Sequence, residues 1–402
     1  LKRLLGFAAS TRVPPALQVQ ARLQALQKAL ALADNPRAAR ILLEQPWALS
    51  TMPELAILTY AALQTGDWLA SEGQHSRALA AYRLVTPQDW LIRLQSARLE
   101  DIRARAEQQS RSGRDRQSAT LWRGYFEAQA SRVEAQLKAL RDSTDFTPGL
   151  YLRLGQTCLR AGRPHEAWVI FKQLAEGDAP AEVRTKAHYR WLVAANALED
   201  TAGVRAIAAA FAERFPGHPL LPRARYIAAT AVSRDGDHPA AIAILSELLE
   251  AYPADPLRTR WLFARGYNRV MDDAFEAARE DFAACLAEAP DGPQAGQCRL
   301  WTGMSWFFER EYPDALSAFE AALEVLAPDD PSYSEIQYQR ANTLYARRSF
   351  APALAAAEAF IAEHPAHKRA PAAKVLRGDI LLGMGRLIEA SGQFAQISPE
   401  VG

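Results

Sequence analysis

Residues 303–328 read GMSWFFEREYPDALSAFEAALEVLAP, and the spacing of Gly303, Ala315, Phe319 and Pro328 within them decides the fold. A small residue inside one helix, an alanine early in the next, a bulky apolar residue four positions on and a proline at the exit describe an antiparallel helix pair. Gly or Ala lets the two helices approach closely, and the large residue fills the gap between neighbouring pairs. Proline ends the second helix because it has no amide hydrogen to contribute and biases its predecessor toward extended geometry.

The same order recurs from about residue 148 to the C-terminus. The first position falls at Gly155, Leu192, Ala229, Gly266, Gly303, Ala341 and Gly378, in steps of 37 residues with one step of 38. Twelve residues later stand Ala167, Val204, Ala241, Ala278, Ala315, Ala353 and Ala390; four further on are Phe171, Ala208, Leu245, Phe282, Phe319, Ala357 and Phe394. The exit prolines are Pro180, Pro216, Pro253, Pro290, Pro328 and Pro365. One helix pair cannot bury both of its apolar faces, whereas pairs stacked in tandem share a continuous core. An all-α solenoid follows, and its Ala-, Leu-, Arg- and Glu-rich composition with few β-branched residues agrees.

Segment 148–402 thus reads as seven tandem repeats, and 54–87 as one more, marked by Gly66-Asp67-Trp68-Leu69, Gly73, Ala78 and Tyr82. Between them, 88–147 reads as an inserted long helical hairpin. Its first helix, about 88–109, carries Ile92, Leu99, Ile102 and Ala106; its second, about 119–141, carries Trp122, Phe126, Val133, Leu137 and Leu140. Ser110-Arg111-Ser112-Gly113-Arg114 is the expected break. Residues 1–53 form an N-terminal helical cap, with helices over about 17–33 and 37–44, Asn35 as N-cap and Pro36 at the first helical position.

The net charge is +1, with 47 basic and 46 acidic residues, which leaves no global field to attract nucleic acid or an acidic membrane surface. The basic stretch Arg103, Arg105, Arg111, Arg114 and Arg116 is interrupted by Glu107 and Asp115 and reads as a solvated linker. No apolar run reaches the roughly 18 residues that cross a bilayer. The start, Leu1-Lys2-Arg3-Leu4-Leu5-Gly6-Phe7, admits three readings: a short export signal, a fragment boundary or an ordinary helix start. Cys158, Cys285 and Cys298 are too few for a disulfide framework and lack the paired spacing of a zinc site. Antiparallel packing could bring Cys285 and Cys298 to one level, as a disulfide or as two small buried residues. His364 and His367 are close in sequence, but no Cys or spaced carboxylate completes a metal site. With no nucleophile elbow, Walker loop, His-Glu-x-x-His or paired acid motif, no enzyme activity, cofactor or metal is expected.

The signature is similar to that of the tetratricopeptide repeat family, clearest at Leu154-Gly155, Gly162, Ala167, Phe171 and Pro180, and at Gly303, Trp306, Ala315, Phe319, Ala322 and Pro328. The family unit is about 34 residues; here the excess sits in proline-bracketed links such as Phe215-Pro216-Gly217-His218-Pro219 and Tyr252-Pro253-Ala254-Asp255-Pro256. Such links look like those of bacterial envelope repeat proteins, including the outer-membrane assembly lipoproteins and the periplasmic partner of the Tol-Pal system. The resemblance implies a right-handed superhelix of antiparallel hairpins whose first helices line a concave surface. Carried onto this chain, the lining positions are Tyr226; Phe263, Tyr267 and Met271; Trp301, Met304, Phe307 and Phe308; and Tyr338, Asn342 and Tyr345. Phe263, Leu300 and Tyr338 stand where a carboxylate-clamping member would carry polar side chains, which disfavours a receptor for chaperone tails.

The function implied is a non-enzymatic scaffold for a protein or peptide partner, with no nucleic acid and no membrane-spanning segment. Seven lysines against forty arginines, with abundant alanine, suggest a bacterium, and the links suggest a periplasmic or envelope complex. The alternatives are the accessory solenoid of a peptidoglycan- or carbohydrate-processing protein and a self-associating structural array.

Overall fold

Helix pairs occupy the expected positions in the computed structural model, which describes residues 1–10, 12–44, 47, 55–112 and 116–397. Among the described residues there are twenty-one helices and no strand. They fall into two units, Leu1–Glu199 and Asp200–Gly402. The first holds α1 (Lys2–Ala8), α2 (Pro15–Ala31), α3 (Asn35–Leu43), α4 (Leu55–Ser71), α5 (His75–Tyr82), α6 (Gln88–Ser112), α7 (Arg116–Asp142), α8 (Thr147–Arg160), α9 (Pro164–Glu176) and α10 (Ala181–Ala197). The second holds α11 (Thr201–Arg214), α12 (Leu221–Arg234), α13 (His238–Ala251), α14 (Arg258–Met271), α15 (Phe275–Glu288), α16 (Ala295–Phe308), α17 (Tyr312–Val325), α18 (Tyr333–Ala346), α19 (Phe350–Glu363), α20 (Ala370–Gly383) and α21 (Leu387–Ile397).

Within a pair, the first-position glycine faces the ring sixteen residues later, so the large residue fills the gap inside its own pair and not, as the spacing suggested, only the gap between neighbouring pairs. A Cβ built on Gly155 would stand 2.7 Å from Phe171, on Gly266 2.6 Å from Phe282 and on Gly66 2.6 Å from Tyr82; Gly303 meets Phe319 and Gly378 meets Phe394 in the same way. No side chain fits in such a gap, so close packing of these pairs requires glycine. Where the first position is larger the partner shrinks: Ala229 is paired with Leu245 and Ala341 with Ala357, all buried. The alanine between them in sequence, at 78, 167, 241, 278, 315, 353 or 390, is completely inaccessible. In the 54–87 pair the ring is a tyrosine, whose hydroxyl donates to Asp67 Oδ1 at 2.7 Å.

One turn geometry joins the two helices of each pair. Seven residues after the first position the backbone is left-handed, at Gly73, Gly162, Gly236 and Gly385 but also at Glu199, Asp273, Arg310 and Arg348. The amide after it reaches the carbonyl five residues back, as in Arg163 to Cys158 at 2.9 Å, Ala274 to Arg269 at 2.8 Å and Ser349 to Leu344 at 2.9 Å. This is the Schellman closure, which satisfies carbonyls the helix end would orphan. Ala33, at φ 52°, makes the same turn between α2 and α3. Leu26, Ala38 and Leu42, all fully buried, then stand in the three repeat positions, so the segment read as a cap contains a helix pair of the repeat type. Its N-cap is Asp34, which accepts from the Arg37 amide at 3.3 Å. That is one residue before the expected Asn35, which is already helical and puts Pro36 second.

At the exits, the residues before Pro216, Pro253, Pro290 and Pro365 have ψ of 56°, 64°, 81° and 54°, out of the helical region as a following proline requires. The link then starts the next helix with a side-chain acceptor. His218 Nδ1 accepts from the Leu220 amide at 3.1 Å, Asp255 from Leu257 at 2.8 Å, Asp330 from Ser332 at 2.7 Å and His367 from Arg369 at 3.2 Å. The extra residues of the 37-residue period are spent here.

The α6–α7 hairpin is pinned at its base by Gln88. Its side chain donates to the Leu140 carbonyl at 2.7 Å and accepts from the Phe146 amide at 3.1 Å. Leu91 and Leu140 join the core of the first unit, while Leu99, Ile102, Val133 and Leu137 make a separate small core farther out. Helix α6 runs through Ser112, past the expected start of the break, because Arg, Ala, Glu and Gln sustain helix; residues 113–115 lie outside the described residues. Nor is the basic stretch a linker where it is described. Arg103 pairs with Glu134 at 2.7 Å and Arg105 with Asp101 at 2.9 Å, both on helices.

Two stability outcomes follow. Gly303→Ala is expected to destabilise by about 1–3 kcal/mol through overpacking against Phe319. Adding Phe319→Leu should recover part of that loss, as the Ala229–Leu245 pair implies; urea denaturation of the two single variants and the double reads the coupling, and strict additivity would refute the size-exchange account. Arg310→Gly and Arg348→Gly should each stabilise by about 0.5 kcal/mol, since glycine removes left-handed strain at some cost in chain entropy. A lowered melting temperature in both would contradict this.

Candidate functional site

The first helices of successive pairs in the second unit, α12, α14, α16, α18 and α20, each touch the next of their own kind, and the second helices do not approach one another to the same degree. Stacking that draws one set of helices together curves the stack with that set inside. First-helix side chains directed away from the partner helix therefore line an inner wall.

Ten of the eleven candidate residues are half-buried, and Phe308 is 44% exposed. Tyr267 on α14 and Trp301 on α16 meet edge to face with centroids 4.8 Å apart, which bridges two repeats across the wall. Tyr226 lies under the Arg260 guanidinium, 5.4 Å from the ring centroid. Phe308 stacks on Phe275 at 6.5 Å and meets Phe307 edge-on at 6.0 Å. Others lean into the core: Phe263 rests on the buried Phe282 at 6.2 Å, Tyr338 on Phe360 at 5.8 Å, and Tyr345 on Phe350 at 6.2 Å. Met271 packs against the core around Phe282, and Met304 and Phe307 against that around Phe319. Asn342 is half-buried beside them on α18.

The wall extends onto α20, which an aromatic criterion passes over. Val375 and Leu382, 40% and 46% exposed, occupy the positions of Tyr338 and Tyr345 one repeat later, and half-buried Asp379 occupies that of Asn342. The register itself would have found them.

The ionic groups differ in how they are held. Asp281 is buried and fully engaged, by Arg265 at 2.6 Å and Arg269 at 2.8 Å, and Arg265 also donates to Ser246 at 3.2 Å. This network ties α13, α14 and α15 together. Burial opposes ionisation of Glu335, yet hydrogen bonds from Arg369 (3.0 Å) and Gln339 (3.0 Å) outweigh it and hold the carboxyl below its usual range. Asp379 has no such partner, and burial pushes its carboxyl up.

The histidines of the last exit loop are engaged locally, His364 with Gln337 at 2.6 Å and His367 with Ser334 at 3.2 Å. No group of three or more metal-ligating side chains occurs among the described residues, and no helix among them is long and apolar enough to cross a membrane. Cys285 and Cys298 lie in one core cluster as buried free thiols, and Cys285 donates to the Thr259 carbonyl at 3.4 Å.

The Glu335 environment has a measurable consequence. A carboxyl whose folded pKa is depressed stabilises the fold above its unfolded value, about 4.3, and that contribution is lost as the pH falls through the lower folded value. Glu335→Gln should lower stability at pH 7 and flatten the acid limb of a stability–pH curve measured by urea midpoints. An acid limb identical to that of the parent would show the ion pair to be idle.

No family model matches the chain, and no curated protein sequence matches it. Solved structures do. A signal transduction ATPase with numerous domains from Pyrococcus horikoshii, which carries a tetratricopeptide repeat sensor, superposes with a TM-score of 0.51 at 11% identity, over 85% of this chain and 52% of that one. The C-terminal part of a TPR repeat-containing protein from Cytophaga hutchinsonii gives 0.46 at 15% identity, over 61% of this chain and 93% of that one. MamA from Desulfovibrio magneticus gives 0.37 at 21% identity, over 44% and 94%. The likeness is one of fold: an all-α helix-pair repeat of the tetratricopeptide kind.

Proposed function

We propose that the chain is a non-enzymatic scaffold that grips a protein segment along the inner wall of its second unit. The observation that carries this reading is the incomplete burial of large apolar side chains there. Phe308, Val375 and Leu382 are 40–46% exposed, and Tyr267, Trp301, Met271 and Met304, on the same set of first helices, are half-buried. Apolar area left in water forfeits about 25 cal/mol per Å² that a partner covering it would recover. Aromatic and methionine side chains suit that role, with large contact area and adaptable shape.

The proposal includes the division of the chain. Residues 148–402 form the repeat array, and 88–147 is an insertion, supported by the direct contact of α5 with α8 across it. Residues 54–87 form one further repeat, preceded by the 1–53 segment. It also assigns the protein to a bacterial envelope complex, on the proline-bracketed links and the arginine-over-lysine composition; fractionation of the source cells tests that assignment, and recovery only from the cytosol would reverse it.

The binding claim is tested on the main partner recovered by cross-linking in the source organism. Phe308→Ser and Trp301→Ala should each weaken binding by about 1–3 kcal/mol, roughly five- to 150-fold. Val325→Ser, at a 63% exposed residue at the end of second helix α17, should leave binding unchanged. Unaltered affinity in both wall variants would move the site elsewhere.

A further inference from the structure

The wall is not electrically uniform. Half of the eighteen arginines of the second unit have carboxylate partners among the described residues, as in Arg258–Glu288, Arg279–Glu309, Arg340–Glu320 and Arg377–Glu358. Arg223 on α12 and Arg260 on α14 are among those that have none, and they are set apart by their place on the wall. They occupy one register position in successive first helices, both are exposed, and neither is in an ion pair among the described residues. Arg260 is held over the Tyr226 ring, and a guanidinium stacked in this way keeps its fork of donors free for a carboxylate. Two repeats on, the same position is Glu335, already taken by Arg369 at 2.9 Å.

The far end has the opposite sign. Asp379 on α20 has no hydrogen bond or ion pair among the described residues, and it stands between the exposed Val375 and Leu382. Burial without a partner holds its carboxyl above the usual range, a cost that an incoming ammonium or guanidinium would relieve. Between these ends stand the uncharged Tyr267, Trp301, Met304 and Phe308, and the one carboxylate at a wall position there, Glu335, is neutralised by Arg369.

We infer that the segment this wall accepts is bipolar, with a carboxylate side chain against Arg223 and Arg260, an apolar stretch over Trp301 and Phe308, and a basic side chain against Asp379. The inference rests on the scaffold reading and adds the chemistry and orientation of its partner. First helices about 8–10 Å apart put roughly 30–40 Å between the two charged ends, a distance spanned by roughly ten residues of extended chain. Charge placed at the ends of an apolar groove fixes register and rejects partners of the wrong sign more than it adds raw affinity.

Selection of random 16-residue peptides displayed on phage, against the intact chain and its variants, tests this. The parent should enrich peptides with an acidic and a basic residue about ten positions apart around an apolar core. Asp379→Arg should replace the basic residue by an acidic one in the enriched set and weaken the parent consensus peptide by about tenfold. Arg223→Glu with Arg260→Glu should exchange the acidic residue for a basic one. Circular dichroism confirms the fold of each variant, and Asp379→Asn, which should abolish the basic preference without reversing it, serves if Asp379→Arg does not fold. Apolar peptides lost on Phe308→Ser but indifferent to every charge variant would overturn the bipolar inference and leave the scaffold reading standing. No enrichment, or enrichment indifferent to Phe308→Ser, would overturn both.

Discussion

The structure depends on the contact between a first-helix residue and the side chain sixteen positions later. Glycine against phenylalanine at 155, 266, 303 and 378, and alanine against leucine at 229, fill one gap with different residues. Because the filled volume is nearly the same, the outside of each helix pair is similar enough for the next to stack on it. Interiors at crystal-like density constrain the filling, although Ala341 against Ala357 shows that a smaller one is accommodated: a side chain in place of Gly303 or a void in place of Phe319 would alter the spacing its neighbours must match. Curvature, and so the existence of an inner wall, follows from repeating that spacing.

Local devices keep the pairs separate. The left-handed turn residue closes the first helix, the proline releases the second, and the acceptor in the link starts the next. All act within a few residues, which leaves each pair to be stabilised by itself and its immediate neighbours. Arginine and aspartate at left-handed positions show that the closing hydrogen bonds and surrounding packing outweigh the strain a glycine would avoid.

The repeat was legible because its marks are short-range. Gly266, Ala278, Phe282 and Pro290 are each determined by contacts inside one helix pair, so a single sequence displays them. The α2–α3 pair is legible as two helices but not as a repeat, because Leu26 and Leu42 replace the glycine and the ring, which leaves only the buried Ala38 and a turn at Ala33 that looks like any alanine. The wall was legible in part. The register says which way a side chain points but not how deep it sits, and so Phe263 and Tyr338, correctly assigned to first helices, rest on the core rings of Phe282 and Phe360. Asp379, Val375 and Leu382 were passed over because aromatic content served as the criterion where position alone sufficed. The closeness of Cys285 and Cys298 could be argued from antiparallel packing, but which thiol donates to which acceptor depends on side-chain geometry that spacing does not carry.

A side chain that belongs to both core and wall ties recognition to stability. Tyr267 and Trp301 bridge α14 and α16, so a partner that covers them also clamps the junction between two repeats. In a stack whose stability is a sum of pairs and junctions, ligand free energy delivered at a junction adds directly to that junction's term. Phe263 and Tyr338 are seated on buried rings, whereas Met271 and Met304 are unbranched side chains suited to irregular contacts. On the reading proposed above, binding by such a surface is a matter of anchors and charged ends around an apolar middle, which favours a partner defined by the order of its acidic, apolar and basic parts over one defined by exact shape.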